Sequence, residues 1–209
     1  MNLQNHYWYF KSVIPPRICD DIVKYGLKHS EHLAMTGKEG TDRNIKDQPL
    51  NKKEIKNLKK KRNSNVVWMG EQWIYREIHP YIHKANQNAG WNFNWDWSEV
   101  CQFTKYKVGQ YYNWHCDSGN GPYKREGAFK GKIRKLSVTV SLSDEKDYKG
   151  GDLEFDFRNM DKPHTRICKE IKPKGSMVVF PSFVWHRIKP ITKGVRYSLV
   201  VWNLGYPFV

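Results

Sequence analysis

Leu136-Ser137-Val138-Thr139-Val140-Ser141-Leu142-Ser143 alternates apolar and hydroxyl side chains without a break. Successive residues of a strand point to opposite faces, so the Leu and Val residues share one face and the Ser and Thr residues the other. A polar strand face in a chain otherwise built from apolar faces can line an internal pocket between two sheets. Strand-like segments surround this one. Leu153, Phe155 and Phe157 alternate with Asp152, Glu154 and Asp156, and residues 176–180, 184–188 and 195–202 complete the set. Many short strands joined by Gly-rich turns predict a mostly β architecture, a double sheet or barrel, from about residue 99 onward.

Upstream of this strand, Tyr106-Lys107-Val108-Gly109-Gln110-Tyr111-Tyr112-Asn113-Trp114-His115-Cys116-Asp117 also reads as extended. His115 and Asp117, two residues apart, then share a face and can hold one metal ion while Cys116 points away. A third ligand should lie far off in sequence, and His186, between Trp185 and Arg187, is the best candidate. Two imidazoles and a carboxylate make the facial triad of non-haem Fe(II) sites. A His-x-Asp pair by itself is weak. Arg196 strengthens it, because alternation sets Arg196, Ser198 and Trp202 on one face and Val195, Tyr197, Leu199 and Val201 on the other. A guanidinium is a fork for a carboxylate, and a hydroxyl two residues on can bind the same group, which suggests a small dicarboxylate co-substrate.

From about residue 60 to its end the chain resembles the Fe(II)- and 2-oxoglutarate-dependent dioxygenases, and within them the prolyl 4-hydroxylase group. Tyr106, Gly109, Tyr112, His115 and Asp117 match that group's motif in order. The chain is also similar to the PKHD-type hydroxylases through Arg134, Leu136, Ser137 and Thr139, followed by Tyr148-x-Gly150-Gly151-x-Leu153. The resemblance implies a distorted double-stranded β-helix, a cupin-like jelly roll, with flanking helices. It implies Fe(II) on His115, Asp117 and His186, with 2-oxoglutarate as co-substrate and O2 as oxidant. Arg196 and Ser198 would bind the distal carboxylate of 2-oxoglutarate and Tyr106 the carboxylate nearer the metal. Tyr112, Arg134 and Trp202 would face the substrate, with Trp202 against the target proline, and ascorbate is a further candidate cofactor. In one departure, Ser141 stands where hypoxia-sensing prolyl hydroxylases carry a Tyr, so the distal pocket should be looser or rely on a water.

The 209 residues suffice for one domain with a sizeable core, which we read as helical support and lid over 1–97 and jelly-roll core over 98–209. No apolar run of membrane length occurs and the first residues lack a signal-peptide layout, so the expectation is a soluble, cytoplasmic protein with no membrane partner. Cys19, Cys101, Cys116 and Cys168 form no C-x-x-C and are read as reduced thiols, with Cys116 the most interesting by position. Residues 15–29 and 71–89 read as helices supporting the outer face of the larger sheet, the second kinked or divided at Pro80. Asn51 and Glu54 form a capping pair ahead of the basic segment 52–62, read as a solvated face. Residues 36–51 are polar and unpatterned and read as a substrate lid, and the loop 118–132 is placed to cover the mouth. Trp91, Phe93, Trp95 and Trp97 alternate with polar residues and read as the packing face of a strand or hairpin.

The formal charge of +15 favours an acidic partner without specifying a site. The expected substrate is a peptide or protein carrying proline, with acidic residues beside it. Nucleic-acid demethylation by the same chemistry is disfavoured, since its family's Arg-x-Asn-x-Thr-x-Arg pattern would need other residues than Ser198, Val200 and Trp202. Another side chain as target and a non-catalytic cupin-like binding module are the remaining alternatives. The sequence leaves the oligomeric state open.

Overall fold

A computed structural model of the chain describes residues 3, 5–35, 50–119, 121–124, 126–157 and 165–208. The expected lid lies almost wholly outside the described residues. Among them, one antiparallel sheet contains β1 (Trp8–Phe10), β2 (His32–Leu33), β4 (Asn65–Met69), β6 (Cys101–Tyr106), β8 (Ile133–Ser141), β12 (Met177–Pro181) and β15 (Arg196–Gly205). Its order is β1-β12-β8-β15-β6-β4-β2, with β5 (Trp97–Ser98) paired to the end of β15. A second antiparallel sheet runs β11-β10-β13-β7-β3, from β3 (Arg62–Asn63), β7 (Tyr111–His115), β10 (Leu153–Asp156), β11 (Thr165–Ile167) and β13 (Trp185–Ile188). A ribbon of β9 (Tyr148–Gly150) and β14 (Ile191–Gly194) closes one end. The fold is a mostly β double-stranded β-helix with flanking helices, as expected.

The alternation of residues 136–143 explains the layering. Leu136, Val138, Val140 and Leu142 join Met177, Val179, Leu199 and Val201 in a core beneath the larger sheet. The helices α1 (Pro16–Leu27) and α3 (Gln72–Asn88) cover that core through Ile18, Ile22, Ile74, Ile78 and Ile82. Each of the three α3 isoleucines is fully buried, worth roughly 1.5–3 kcal/mol apiece in apolar transfer. The other sheet face packs a second core, with Phe155, Val178, Phe180 and Ile188 between the two sheets.

Three expectations need correction. α3 continues through Pro80 instead of dividing there. Pro80 and Arg76, whose carbonyl loses its partner, both lie on the exposed side where water can serve it. Residues 91–96 form no strand: after Gly90 and Asn92, with φ of +73° and +51°, the chain tucks Trp91 and Phe93 into the helix-side core, while Trp97 stays 43% exposed. The loop 118–132 is tied back, since Tyr123 donates to Glu99 Oε1 at 2.9 Å and Lys132 pairs with Asp96 at 2.8 Å. None of its described residues lines the pocket below. The capping box at Asn51 is present and opens α2 (Lys52–Lys61), whose six lysines are all exposed. Arg62, immediately after them, is 4% exposed.

Candidate active site

β7 and β13 are hydrogen-bonded neighbours, and their register sets His115 directly opposite His186. Asp117 follows β7 by two residues, its N–H donating to Ser182 O at 2.8 Å. The ligand atoms of His115, Asp117 and His186 all lie within 4.8 Å of one another. Each Nε2 lies 3.6 Å from a carboxylate oxygen of Asp117, His115 from Oδ1 and His186 from Oδ2. The orienting groups, invisible in the sequence, are backbone atoms. His115 Nδ1 contacts Asn113 O at 2.7 Å and His186 Nδ1 contacts Val184 O at 3.0 Å. Donation from Nδ1 leaves each Nε2 lone pair for a metal. Ser137, on the hydroxyl face of β8, donates to Asp117 Oδ2 at 2.7 Å and lies 2.9 Å from the Ser182 hydroxyl.

The electrostatics suit ligation. Burial, reinforced by the neighbouring His186, pushes the His115 imidazole well below its ordinary value and so keeps it neutral. Burial raises Asp117, but His186, His115, Arg134 and the Ser137 hydrogen bond outweigh it and hold the carboxyl at about 2. A neutral His115 imidazole and an ionised Asp117 carboxylate are protonation states that ligation of a divalent ion requires. This donor set fits iron.

The pocket beside the triad is lined by residues of both sheets. Arg196 is 2% exposed, and its Nη1 donates to Ser198 Oγ at 3.3 Å. No carboxylate of the described residues pairs with this buried guanidinium. Ser141 lies opposite Ser198 in register, hence on the same face, and its buried hydroxyl has no hydrogen-bond partner. A buried, uncompensated cation beside an orphaned hydroxyl fits the distal carboxylate of 2-oxoglutarate. Tyr106 lies opposite Arg196, with its ring centroid 5.7 Å from the guanidinium carbon. Gly150 and Gly151 of the Tyr148–Leu153 motif carry φ of +75° and +63°. A Cβ on Gly151 would sit 2.3 Å from Ile191 Cδ1 and 3.0 Å from Arg196 Cδ, so the bare backbone makes room for the arginine stem.

The residues expected on the substrate side converge less simply. Tyr112 and Trp202 line the pocket. Arg134 gives Nε and Nη2 to the two carboxylate oxygens of Glu99, each at 2.6 Å. It stacks 3.9 Å from the centre of the Trp202 ring, and only Nη1 reaches inward, 3.5 Å from Asp117 O. Sequence reasoning missed Gln102 and Arg62 in the lining, and Trp68 beside Trp202. Trp68 is 50% exposed and 6.3 Å from the Trp202 ring. A signal for it existed, since Val67 and Met69 flank an aromatic on the opposite strand face.

The family model described as 2OG-Fe(II) oxygenase superfamily matches residues 101–203. A PKHD-type hydroxylase of Synechococcus sp. (strain CC9902) is 37% identical over 101 residues, which is 48% of this chain and 39% of that protein. The matched stretch therefore spans about two fifths of the length of that curated relative. The viral collagen prolyl hydroxylase of Paramecium bursaria Chlorella virus-1, solved with 2OG, superposes with a TM-score of 0.62 at 20% identity, covering 97% of each chain. A Trichoplax adhaerens prolyl hydroxylase, solved with a hypoxia-inducible-factor peptide fragment, gives 0.66 at 16% identity, covering 96% of this chain and 84% of that one. At these identities the two structures speak to the fold.

Proposed function

We propose that this chain, whose residues 101–203 match the 2OG-Fe(II) oxygenase superfamily model, hydroxylates prolyl residues in a peptide or protein. The observation that carries the oxygenase reading is the convergence of His115, Asp117 and His186 beside a buried Arg196 that pairs with no carboxylate among the described residues. Fe(II), 2-oxoglutarate and O2 would supply the oxidising chemistry, converting the co-substrate to succinate and CO2 while one oxygen atom goes to the substrate. His115, Asp117 and His186 would hold the iron beside the pocket. Arg196, with Ser198 and the Ser141 hydroxyl, binds the distal carboxylate and so fixes the direction in which the co-substrate enters. Tyr106 serves the carboxylate nearer the metal, and the buried walls keep water from the reacting atoms.

The proline reading rests on the mouth. Trp202 in the lining and the half-exposed Trp68 beside it offer apolar ring area for a pyrrolidine. Tyr112, its faces taken by His115 and Arg62, lines the pocket by its edge. Arg134, engaged with Glu99, holds the Trp202 indole in place and offers Nη1 to a substrate carbonyl. The six exposed lysines of α2 favour acidic residues near the target.

The test is to incubate the chain with Fe(II), 2-oxoglutarate, ascorbate and proline-containing acidic peptides. The expected result is succinate release together with a 16 Da gain on proline, both lost in Asp117→Ala. Succinate release driven by a nucleic acid or a proline-free peptide would reassign the substrate. Failure of the parent chain to turn over 2-oxoglutarate under any condition would leave a cupin-like binding module.

A further inference from the structure

The two imidazoles of the triad are held in different ways. Each contacts a backbone carbonyl through Nδ1, which fixes where that atom points but lets the ring rock about the bond. His186 is confined by buried aromatic rings, Phe180 at 4.7 Å and 66° and Phe155 at 6.3 Å and 49°. His115 lies on β7, one strand from the sheet edge, with 15% of its side chain exposed. What meets its face is Tyr112, with ring centroids 3.4 Å apart and planes 12° from parallel.

That contact is built by an irregularity. Residues three apart on a regular strand point to opposite faces. Between the pairs His186↔His115 and Ile188↔Tyr112 the register shifts, β7 advancing three residues while β13 advances two. The extra residue turns Tyr112 onto the face of His115. On the other side of the Tyr112 ring lies Arg62, its guanidinium carbon 4.5 Å from the centroid. β3 is an edge strand of two residues that pairs Arg62 with Tyr112, and Arg62 Nε donates to Ser64 Oγ at 2.9 Å. Arg62, Tyr112 and His115 thus form three layers, with a buried cation on the outside and a metal ligand on the inside.

We propose that Arg62 is a positioning residue for the metal: through the Tyr112 ring it holds the His115 imidazole in the plane that ligation requires. This rests on the reading of His115 as an iron ligand and is independent of what the enzyme hydroxylates. Groups that orient metal ligands are worth about ten- to a hundred-fold in affinity. A group acting at one remove, across a cation–π contact, belongs at the lower end.

The test is a titration of the metal-free full chain with Co(II), read by its visible absorption, alongside the Fe(II) dependence of turnover. Arg62→Met, which keeps bulk without charge, is expected to weaken Co(II) binding about ten-fold, with Arg62→Lys between it and the parent. The Fe(II) concentration for half-maximal turnover should rise in parallel. Tyr112→Phe should keep the stack and the affinity, and Tyr112→Leu should reproduce the loss. Co(II) affinity within two-fold of the parent in both Arg62→Met and Tyr112→Leu overturns the proposal. If the parent itself takes up no Co(II), it is the metal reading of the triad that fails.

Discussion

Arg196 is the residue on which the co-substrate assignment turns. Its guanidinium is buried with no carboxylate partner among the described residues, so a bound dicarboxylate would complete a buried ion pair. Breaking such a pair costs roughly 3–5 kcal/mol. Arg196→Ala should therefore raise the Kd for 2-oxoglutarate by roughly a hundred- to several-thousand-fold, measured by calorimetry on the metal-loaded protein, with Arg196→Lys recovering part. Unchanged affinity in both would move the carboxylate site elsewhere. The cysteines give a second residue-level expectation. Cys101 and Cys168 are buried, and burial pushes each thiol up to about 12; Cys19 is raised to about 11 by the same cause. Only Cys116 is partly exposed. Iodoacetamide at pH 8 should label Cys116 first and the other three only on unfolding, as read by peptide mass spectrometry. The His115–Asp117 pair and the shared face of Arg196 and Ser198 were legible because short-range alternation and spacing specify them, whereas His186 was a distant candidate that the pairing of β13 with β7 brings to His115. Arg62 was not: it ends a lysine run that reads as solvated, and only the pairing of β3 with β7 carries it into the pocket.

Among the elements, β8, β12 and β15 of the larger sheet were readable because the hydrophobic period is two and each buried face is large, whereas β1 and β4 lie in the stretch read as helical support and lid. The two-residue strands β2, β3 and β5 are too short to carry a period, and their positions follow from tertiary pairing alone. The 91–97 segment shows the opposite failure, a correct alternation overridden by Gly90 and Asn92 at positive φ. α3 invites a direct measurement. Pro80 sits on its exposed side, so Pro80→Ala restores one main-chain hydrogen bond with no loss of core packing. Proline in a helix interior is about 3 kcal/mol worse than alanine, and the stiffer unfolded chain offsets up to about 1 kcal/mol of that. The variant should gain about 2 kcal/mol, roughly 4–8 °C in Tm for a chain of this size. A Tm equal to the parent's would mean that the Arg76 carbonyl already finds an equivalent partner.

At the scale of the whole molecule, the helix-side core draws Ile14, Ile18, Ile74, Ile78 and Ile82 from the first half of the chain and Val138, Val140, Leu199 and Val201 from the second. We therefore expect 1–209 to unfold as one unit, with a single calorimetric transition. A fragment starting at residue 98 should bind 8-anilinonaphthalene-1-sulfonate through its uncovered sheet face and show no cooperative melt. Two separate transitions in the intact chain would divide it instead. The closing ribbon has a different consequence. Where the backbone of Gly151 meets the stem of Arg196, the depth at which the guanidinium stands is set by main chain, and a dicarboxylate bound there would be measured by a ruler that has no side chain to trim. Longer or shorter dicarboxylates are then hard to accommodate by mutation at this wall. A methyl group at position 151 can only shorten the reach at a cost in backbone strain, and nothing smaller than glycine exists to lengthen it.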